Sequence, residues 1–147
     1  MTTPTPEERD VADAAARIVD AFAATDTARY FAGFAPDASF VFHTEPARLE
    51  DRAAYEALWA GWIADGWRVT RCVSSNPRVQ VFPGGAVFCH DVATSIEVGA
   101  DAGSRTTDSY AERETIVFRR AADGSLTAVH EHLSPVPDGS DNGKATP

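Results

Sequence analysis

The stretch RETIVFRRAADGSLTAVHEHLS, residues 113–134, holds two runs of alternating apolar and polar residues on either side of AADGS. Alternation over this length predicts β-strands, and a loop with Asp-Gly between two such runs predicts a hairpin. The same alternation fills residues 67–75, 78–82 and 86–98, and NP and PGG lie between these runs as predicted turns. The second half of the chain is therefore predicted to be an antiparallel meander.

The first half of the chain carries the spacing of helices. Apolar residues recur at helical intervals within residues 11–22, 30–34 and 55–63, and Gly66 stands where the third helix is expected to end. Between the second and third helices, SFVFH at residues 39–43 has the composition of a strand. This order predicts an α+β fold, in which a strongly bent, mixed or antiparallel sheet wraps around three N-terminal helices and leaves a conical cavity.

The composition indicates a single folded domain with an acidic surface. The chain has 147 residues and a net charge of −9, so it lacks the basic footprint that nucleic acid or an anionic membrane requires. No run approaches the roughly 20 apolar residues of a membrane span, and the first ten residues do not resemble a signal peptide. We expect a cytoplasmic protein with a domain at residues 7–135, flanked by disordered residues 1–6 and 136–147.

Two of the four histidines flank Glu131 in the last predicted strand. Alternation along a strand puts His130 and His132 on one face and Glu131 on the other. Three interpretations fit this pattern: metal ligands, an acid–base pair, or histidines that are hydrogen-bonded at a sheet edge. A metal site would need at least one further ligand, and one possible three-ligand set is His43, His132 and Glu112.

The chain resembles SnoaL-like domains of the nuclear transport factor 2-like superfamily. The resemblance rests on FAPDASFVFH at residues 34–43, on the stretch at residues 113–134 and on the order of elements between them. The last strand is also similar to the Val-His-x-His-x-Ser strand of the association domain of calcium/calmodulin-dependent kinase II. The resemblance implies a cone-shaped, cystatin-like α+β barrel, usually a homodimer through the outer face of the sheet. It also implies a superfamily of isomerases, cyclases, dehydratases, hydrolases and non-catalytic ligand binders.

Ketosteroid isomerase provides one mechanism of this superfamily that the sequence tests directly. That enzyme uses an Asp late in the first strand as its base, and a helix Tyr with a protonated Asp as its oxyanion hole. The resemblance places Phe42 at the position of the base and Ile18 at the position of the helix Tyr. We therefore expect no steroid isomerase activity by that mechanism, although a one-residue bulge would bring His43 to the base position.

Two registers of the last hairpin predict different pockets. In the first register, Arg113 and Thr115 lie opposite the two histidines and face the cavity with them. A shift by one residue places Glu112 and Glu114 opposite the histidines instead. We favour the first register, because the similar kinase association domain places an Arg inside its cavity from this strand. Glu131 is expected to face outward in both.

The sequence thus predicts a pocket protein that acts on a small, largely apolar organic molecule with a polar or acidic group, without cofactor or metal. The predicted catalytic residues are His132, His130, His43 and Arg113. The predicted substrate-binding residues are Phe42, Trp59, Trp62, Trp67, His90, Thr115 and Phe88. The expected activity is that of an isomerase, cyclase, dehydratase or hydrolase. The alternatives are a non-catalytic ligand-binding or oligomerisation module and a metal-dependent enzyme that uses the His-x-His strand.

Overall fold

A computed structural model describes residues 3–99 and 101–137 of the chain, with helices in the first half and long strands in the second. In chain order, the elements are α1 (Glu8–Ala23), α2 (Thr27–Ala32), β1 (Phe34–Phe42), α3 (Arg52–Ala64), β2 (Arg68–Phe82), β3 (Gly85–Val98), β4 (Thr106–Arg120) and β5 (Leu126–Pro135). One short 3-10 helix, Ala102–Ser104, lies between β3 and β4. The predicted α+β class is therefore confirmed.

The five strands form one sheet in the order β1-β5-β4-β3-β2. β1 pairs with β5 in parallel, and the other neighbours are antiparallel, so the sheet is mixed and its last strand lies beside its first. The turn predicted at Asn76–Pro77 is wrong, because β2 runs continuously across these residues. The chain makes a bulge there, with Asn76 at φ 53°, a left-handed conformation that Asn tolerates better than most residues.

The helices pack against one face of the sheet, and aromatic rings fill the space between them. Tyr30 stacks on Trp59 with ring centroids 5.0 Å apart, and Phe31 meets Tyr55 edge-on at 5.0 Å. The indole nitrogen of Trp59 donates a hydrogen bond to the Thr27 hydroxyl at 2.9 Å, which satisfies its one buried polar group. These rings are part of the hydrophobic core that fixes the positions of all three helices.

The hairpin of β4 and β5 contains a bulge that decides which side chains face the helices. Val117 lies opposite His130 and Phe118 lies opposite Ala128, so Val129 is the extra residue in β5. An extra residue reverses the alternation beyond it, because side chains along a strand point to opposite faces in turn. Ala128 and Glu131 are consequently both buried on the inner face.

The structure describes short segments before α1 and after β5, namely residues 3–7 and 136–137. The carbonyl of Pro4 accepts a hydrogen bond from the backbone nitrogen of Gly84 at 3.0 Å, so this end lies against the β2–β3 turn. The predicted disorder of residues 1–2 and 138–147 lies outside the described residues. Among the helices of the described part, none has the length and hydropathy to cross a membrane.

Gly66 follows the last turn of α3, as the sequence predicts, and lies close to the backbone of Gly99. Its φ is +84°, and a Cβ there would lie 2.3 Å from the carbonyl oxygen of Gly99. We expect Gly66→Ala to lower the free energy of unfolding by about 2 kcal/mol or more, because both the backbone angle and the contact oppose a side chain. Urea denaturation measures the change.

Gly61 is the matched control, because it lies inside α3 and a Cβ there would meet nothing within 4 Å. Gly61→Ala is expected to raise the free energy of unfolding by up to about 1 kcal/mol through helix propensity. Equal stability of the two variants would contradict this account of how α3 ends.

Candidate functional site

A cavity of about 490 Å³ lies between the three helices and the inner face of the sheet. Its apolar walls include Phe22, Phe42, Trp62, Trp67, Ile96 and Leu133. Its acidic residues are Glu45, Asp108, Glu112, Glu114 and Glu131. Among the described residues, no Arg or Lys lines this cavity. The site is therefore an apolar pocket with an acidic lining, which disfavours an anionic ligand.

Two glutamates from neighbouring strands share a hydrogen bond at the closed end of the pocket. Glu131 of β5 is 2 % exposed and Glu114 of β4 is 8 % exposed. Burial, reinforced by the nearby Glu114 charge, raises the pKa of Glu131 well above its usual value. Burial also opposes ionisation of Glu114, but hydrogen bonds from Glu131 and His90 outweigh it and lower the pKa of Glu114. The pair therefore holds one proton, on Glu131, and one negative charge, on Glu114.

Two tyrosines extend this hydrogen-bonded group toward the helices. The Tyr30 hydroxyl of α2 lies 3.0 Å from the Tyr55 hydroxyl of α3, and it donates to Oε1 of Glu131 at 3.5 Å. Burial, with a further contribution from the Glu131 carboxyl once it is ionised, raises the pKa of both tyrosines well above the usual value. Both hydroxyls are therefore neutral donors at the same end of the pocket as Glu131.

His90 lies behind the acid pair, on β3. Its Nε2 is 2.5 Å from Oε1 of Glu114, and its Nδ1 is 2.5 Å from the Ser74 hydroxyl. An ionised carboxylate only accepts hydrogen bonds, so Nε2 of His90 carries the hydrogen of this bond. The prediction that His90 contacts substrate directly is wrong, because its side chain is 0 % exposed and it reaches the pocket only through Glu114.

A second carboxylate–imidazole pair lies at the open end of the pocket. His43, just after β1, places Nε2 2.5 Å from Oε2 of Glu112 on β4. Their side chains are 32 % and 12 % exposed, so this pair meets solvent while the Glu114–Glu131 pair does not. Burial raises the pKa of Glu112, and the hydrogen bond from His43 partly offsets this shift.

Several residues predicted to face the pocket lie on the opposite face of the sheet. The register places Thr115 opposite His132 and Arg113 opposite Ser134, with Arg113 and His132 exposed. His130 lies beside them and bonds the Ser39 hydroxyl through Nδ1 at 2.8 Å. The favoured register is therefore wrong. Phe118, not Val117, lies opposite the buried Ala128, which turns Arg113 and Thr115 outward, and the bulge at Val129 turns Glu131 inward and both histidines outward.

The other predicted pocket residues divide between wall and core. Phe42, His43, Trp62 and Trp67 line the cavity as expected. Trp59 is 1 % exposed and Phe88 is 4 % exposed, and both belong to the core rather than to the cavity wall. The prediction that these two side chains contact ligand is thus wrong.

The metal interpretation finds no support in this arrangement. Glu112 and His43 meet in the pocket, whereas His132 is on the other face of the sheet, so the suggested three-ligand set does not converge. Within residues 3–99 and 101–137, no group of three or more His, Cys, Asp or Glu side chains is placed to hold a metal ion.

Sequence reasoning missed the residues at the closed end of the pocket. It assigns Glu131 to the outer face, and it does not include Tyr30 and Tyr55 among the candidate residues. For the carboxyl groups of β4 the sequence does offer a signal, since the alternative register turns Glu112 and Glu114 inward as observed. Even that register pairs them with the histidines, whereas Glu114 lies opposite Leu133 and Glu112 opposite Pro135.

The chain matches one protein family in sequence and several solved structures in fold. The family described as SnoaL-like domain matches residues 11–139. A ketosteroid isomerase-like protein from Erwinia carotovora atroseptica is 14% identical, with a TM-score of 0.72 over 88% of this chain and 96% of that one. A provisionally named dehydratase of the NTF2-like family from Streptomyces avermitilis is 20% identical, with a TM-score of 0.69 over 88% and 95%.

The fold also matches a protein of another kind. The CaMKII hub of S. rosetta is 18% identical, with a TM-score of 0.69 over 90% of this chain and 99% of that one. Solved structures with a cystatin-like fold from Novosphingobium aromaticivorans and Nostoc punctiforme match as well. No curated protein is similar to the chain in sequence. At these identities the structural matches establish the fold alone.

The proton on Glu131 predicts how stability depends on pH. The folded pKa of Glu131 exceeds the unfolded value of about 4.3, so its contribution is fully present below that pH and is lost as pH rises through the folded pKa. Gln cannot ionise. We therefore expect the stability of Glu131→Gln, relative to the unchanged protein, to improve between about pH 5 and about pH 9.

Urea denaturation at both pH values measures this difference. Glu50→Gln is the control, because Glu50 is exposed and its change should shift stability equally at the two pH values. A Glu131→Gln difference that is the same at both pH values would show that Glu131 is ionised in the folded protein.

Proposed function

The chain belongs to the SnoaL-like domain family, and on that premise we propose that its pocket is the active site of a cofactor-independent acid–base enzyme. The substrate is a small, mainly apolar molecule with a carbonyl or hydroxyl oxygen. The observation that carries the proposal is the buried pair of carboxyl groups, Glu131 and Glu114, at the end of an apolar cavity. Neighbouring carboxyls whose pKa values are driven apart suit separate acid and base roles.

Glu131 and Tyr30 act on the substrate oxygen. Both are neutral donors at the closed end of the cavity, so they stabilise negative charge that develops on a carbonyl oxygen, and Glu131 also supplies a proton. The surrounding Trp and Phe side chains exclude water, which strengthens these interactions.

Glu112, paired with His43, acts as the proton acceptor at the other end. It lines the same cavity from the neighbouring inward position of β4, two residues from Glu114. A carboxylate here removes a proton from carbon while the oxygen is held at the closed end. Isomerisation or dehydration of a ketone or hydroxyketone fits this pair of roles best. Phe42 and Ile18 line the cavity without offering acid or base, which supports a mechanism different from that of ketosteroid isomerase.

The acidic lining also revises the expected ligand. An acidic substrate group would need a cation, and the Arg113 side chain that was to supply it is on the outer face of the sheet. With five carboxyl groups around the cavity, a neutral polar group on the substrate is favoured over a negatively charged one.

Hydrogen exchange at carbon tests the activity on simple ketones, whatever the natural substrate is. The purified protein is incubated in D₂O with a panel of cyclic and aromatic ketones, and NMR records deuterium uptake at the carbon next to the carbonyl. Glu112→Gln is expected to slow this exchange by about 10²–10⁴-fold, because the amide cannot accept the proton. Glu97→Gln is the matched control, since Glu97 is a strand glutamate paired with Arg68 and Arg105.

Two results would count against this proposal. Exchange that is equally fast with Glu112→Gln would exclude Glu112 as the base. A complete absence of exchange across the panel in the unchanged protein would favour a non-catalytic role.

That second candidate, an assembly or ligand-binding module, is supported by the similarity to the CaMKII hub. The outer face of the sheet, including Thr115, Arg113 and His132, would be the contact between two copies. If so, the protein sediments as a dimer, and Thr115→Arg gives monomers because it places a charge in the middle of that face. Asp13→Arg, on the exposed side of α1, should leave the dimer intact. A monomeric unchanged protein would contradict this interface.

A further inference from the structure

A line of hydrogen-bonded side chains connects the closed end of the pocket with the edge of the sheet. In order, its members are Tyr55, Tyr30, Glu131, Glu114, His90 and Ser74. The last two groups have no part in the acid–base chemistry of the pocket described above. They are nevertheless joined to Glu114 by consecutive hydrogen bonds.

The two ends of this line differ in their access to water. Glu131 is 2 % exposed, and the side chain of His90 is 0 % exposed. Ser74 is exposed and belongs to β2, an edge strand whose only neighbour in the sheet is β3. Ser74 is therefore the point at which the line meets solvent, on the strand at the edge of the sheet.

The donors along this line point toward the pocket. Nε2–H of His90 donates to Glu114, and in the tautomer that carries its hydrogen on Nε2 alone, Nδ1 accepts the hydroxyl hydrogen of Ser74. Imidazole accepts a proton at one nitrogen and releases one from the other, which makes it suited to pass protons through a site that excludes water. Glu114 then lies one hydrogen bond from Glu131.

A buried acid needs such a supply once it has given its proton away. Glu131 without its proton would leave two ionised carboxylates side by side in an apolar environment, which is a costly state. Substrate in the cavity blocks water from the mouth at that moment. A path through the edge strand restores the proton without opening the pocket.

We propose that His90 is a proton-relay residue that returns a proton from solvent at Ser74 to Glu131 after Glu131 has protonated the substrate. Nε2 of His90 gives its hydrogen to Glu114, and Glu114 passes a proton to Glu131. Nδ1 takes the hydrogen of the Ser74 hydroxyl, and Ser74 takes one from water, leaving hydroxide in solvent. One proton is thereby transferred in total, from water to Glu131, and His90 is left as its other tautomer until rotation of the ring resets it. The catalytic purpose of this relay rests on the proposed function.

The relay is tested by the exchange of the His90 Nε2 hydrogen with water, measured by NMR on protein with ¹⁵N-labelled histidine. Ser74→Val and Ser74→Thr are the decisive pair, because their side chains have nearly the same shape and only Thr keeps the hydroxyl. We expect exchange to slow by at least about tenfold in Ser74→Val, where it would require local opening of the sheet, and to stay close to the original rate in Ser74→Thr.

A purely structural role for Ser74 gives a different result. Loss of an anchoring hydrogen bond would loosen His90, so exchange in Ser74→Val would be as fast as before or faster. That result, or the absence of a detectable Nε2 hydrogen in both variants, overturns the relay. Ser75→Ala, one residue further along β2, controls for a general change in the strand and should leave exchange unchanged.

The same variants separate failure of the relay from failure of the proposed activity. If the unchanged protein exchanges no ketone hydrogens while Ser74→Val still slows exchange at His90, the proton path stands and the acid–base activity does not. If ketone exchange occurs and Ser74 variants leave the His90 exchange rate unaltered, the activity stands and the relay is wrong.

Discussion

The hydrogen bond between Glu114 and Glu131 is the constraint around which the pocket is organised. Two carboxyl groups this close and this deeply buried cannot both carry a charge, so one must hold a proton. Their unlike surroundings decide which one: Glu114 accepts from His90, whereas Glu131 meets the hydroxyl of Tyr30. The same bonds tie β3, β4, β5 and α2 together. The arrangement that sets the chemistry therefore also fixes the helices on the sheet.

A single extra residue in β5 determines that this pair exists at all. Without the bulge at Val129, alternation continuing from the buried Ala128 would turn His130 inward and Glu131 outward. The cavity would then present histidines in place of the carboxyl group. A change of one residue in a strand thus exchanges histidines for a carboxyl group in the pocket lining.

Much of the fold is predictable from local pattern. Apolar residues at helical spacing located the three helices, and period-two alternation located the strands of the meander, because each pattern follows from which side chains share a face. Gly66 marked the end of α3 correctly, because its φ of 84° lies in the left-handed region that favours glycine. The turn predicted at Asn76–Pro77 failed because a bulge and a turn use the same residue types, and pairing with β3 continues on both sides of it.

The candidate site is predictable only in part, and the division has a physical cause. Phe42, His43, Trp62 and Trp67 line the cavity, and their positions follow from a helix face, from the residues just after that helix and from the end of a strand. The inward carboxyls depend on strand register, and register is set by the whole sheet and its bulges rather than by neighbouring residues. By itself, the sequence determined the α+β fold, its element order and an aromatic-lined cavity. Only the tertiary structure decided that Glu112, Glu114 and Glu131 face this cavity and that His130, His132 and Arg113 do not, because the pairing register sets the faces of β4 and one unpaired residue reverses those of β5.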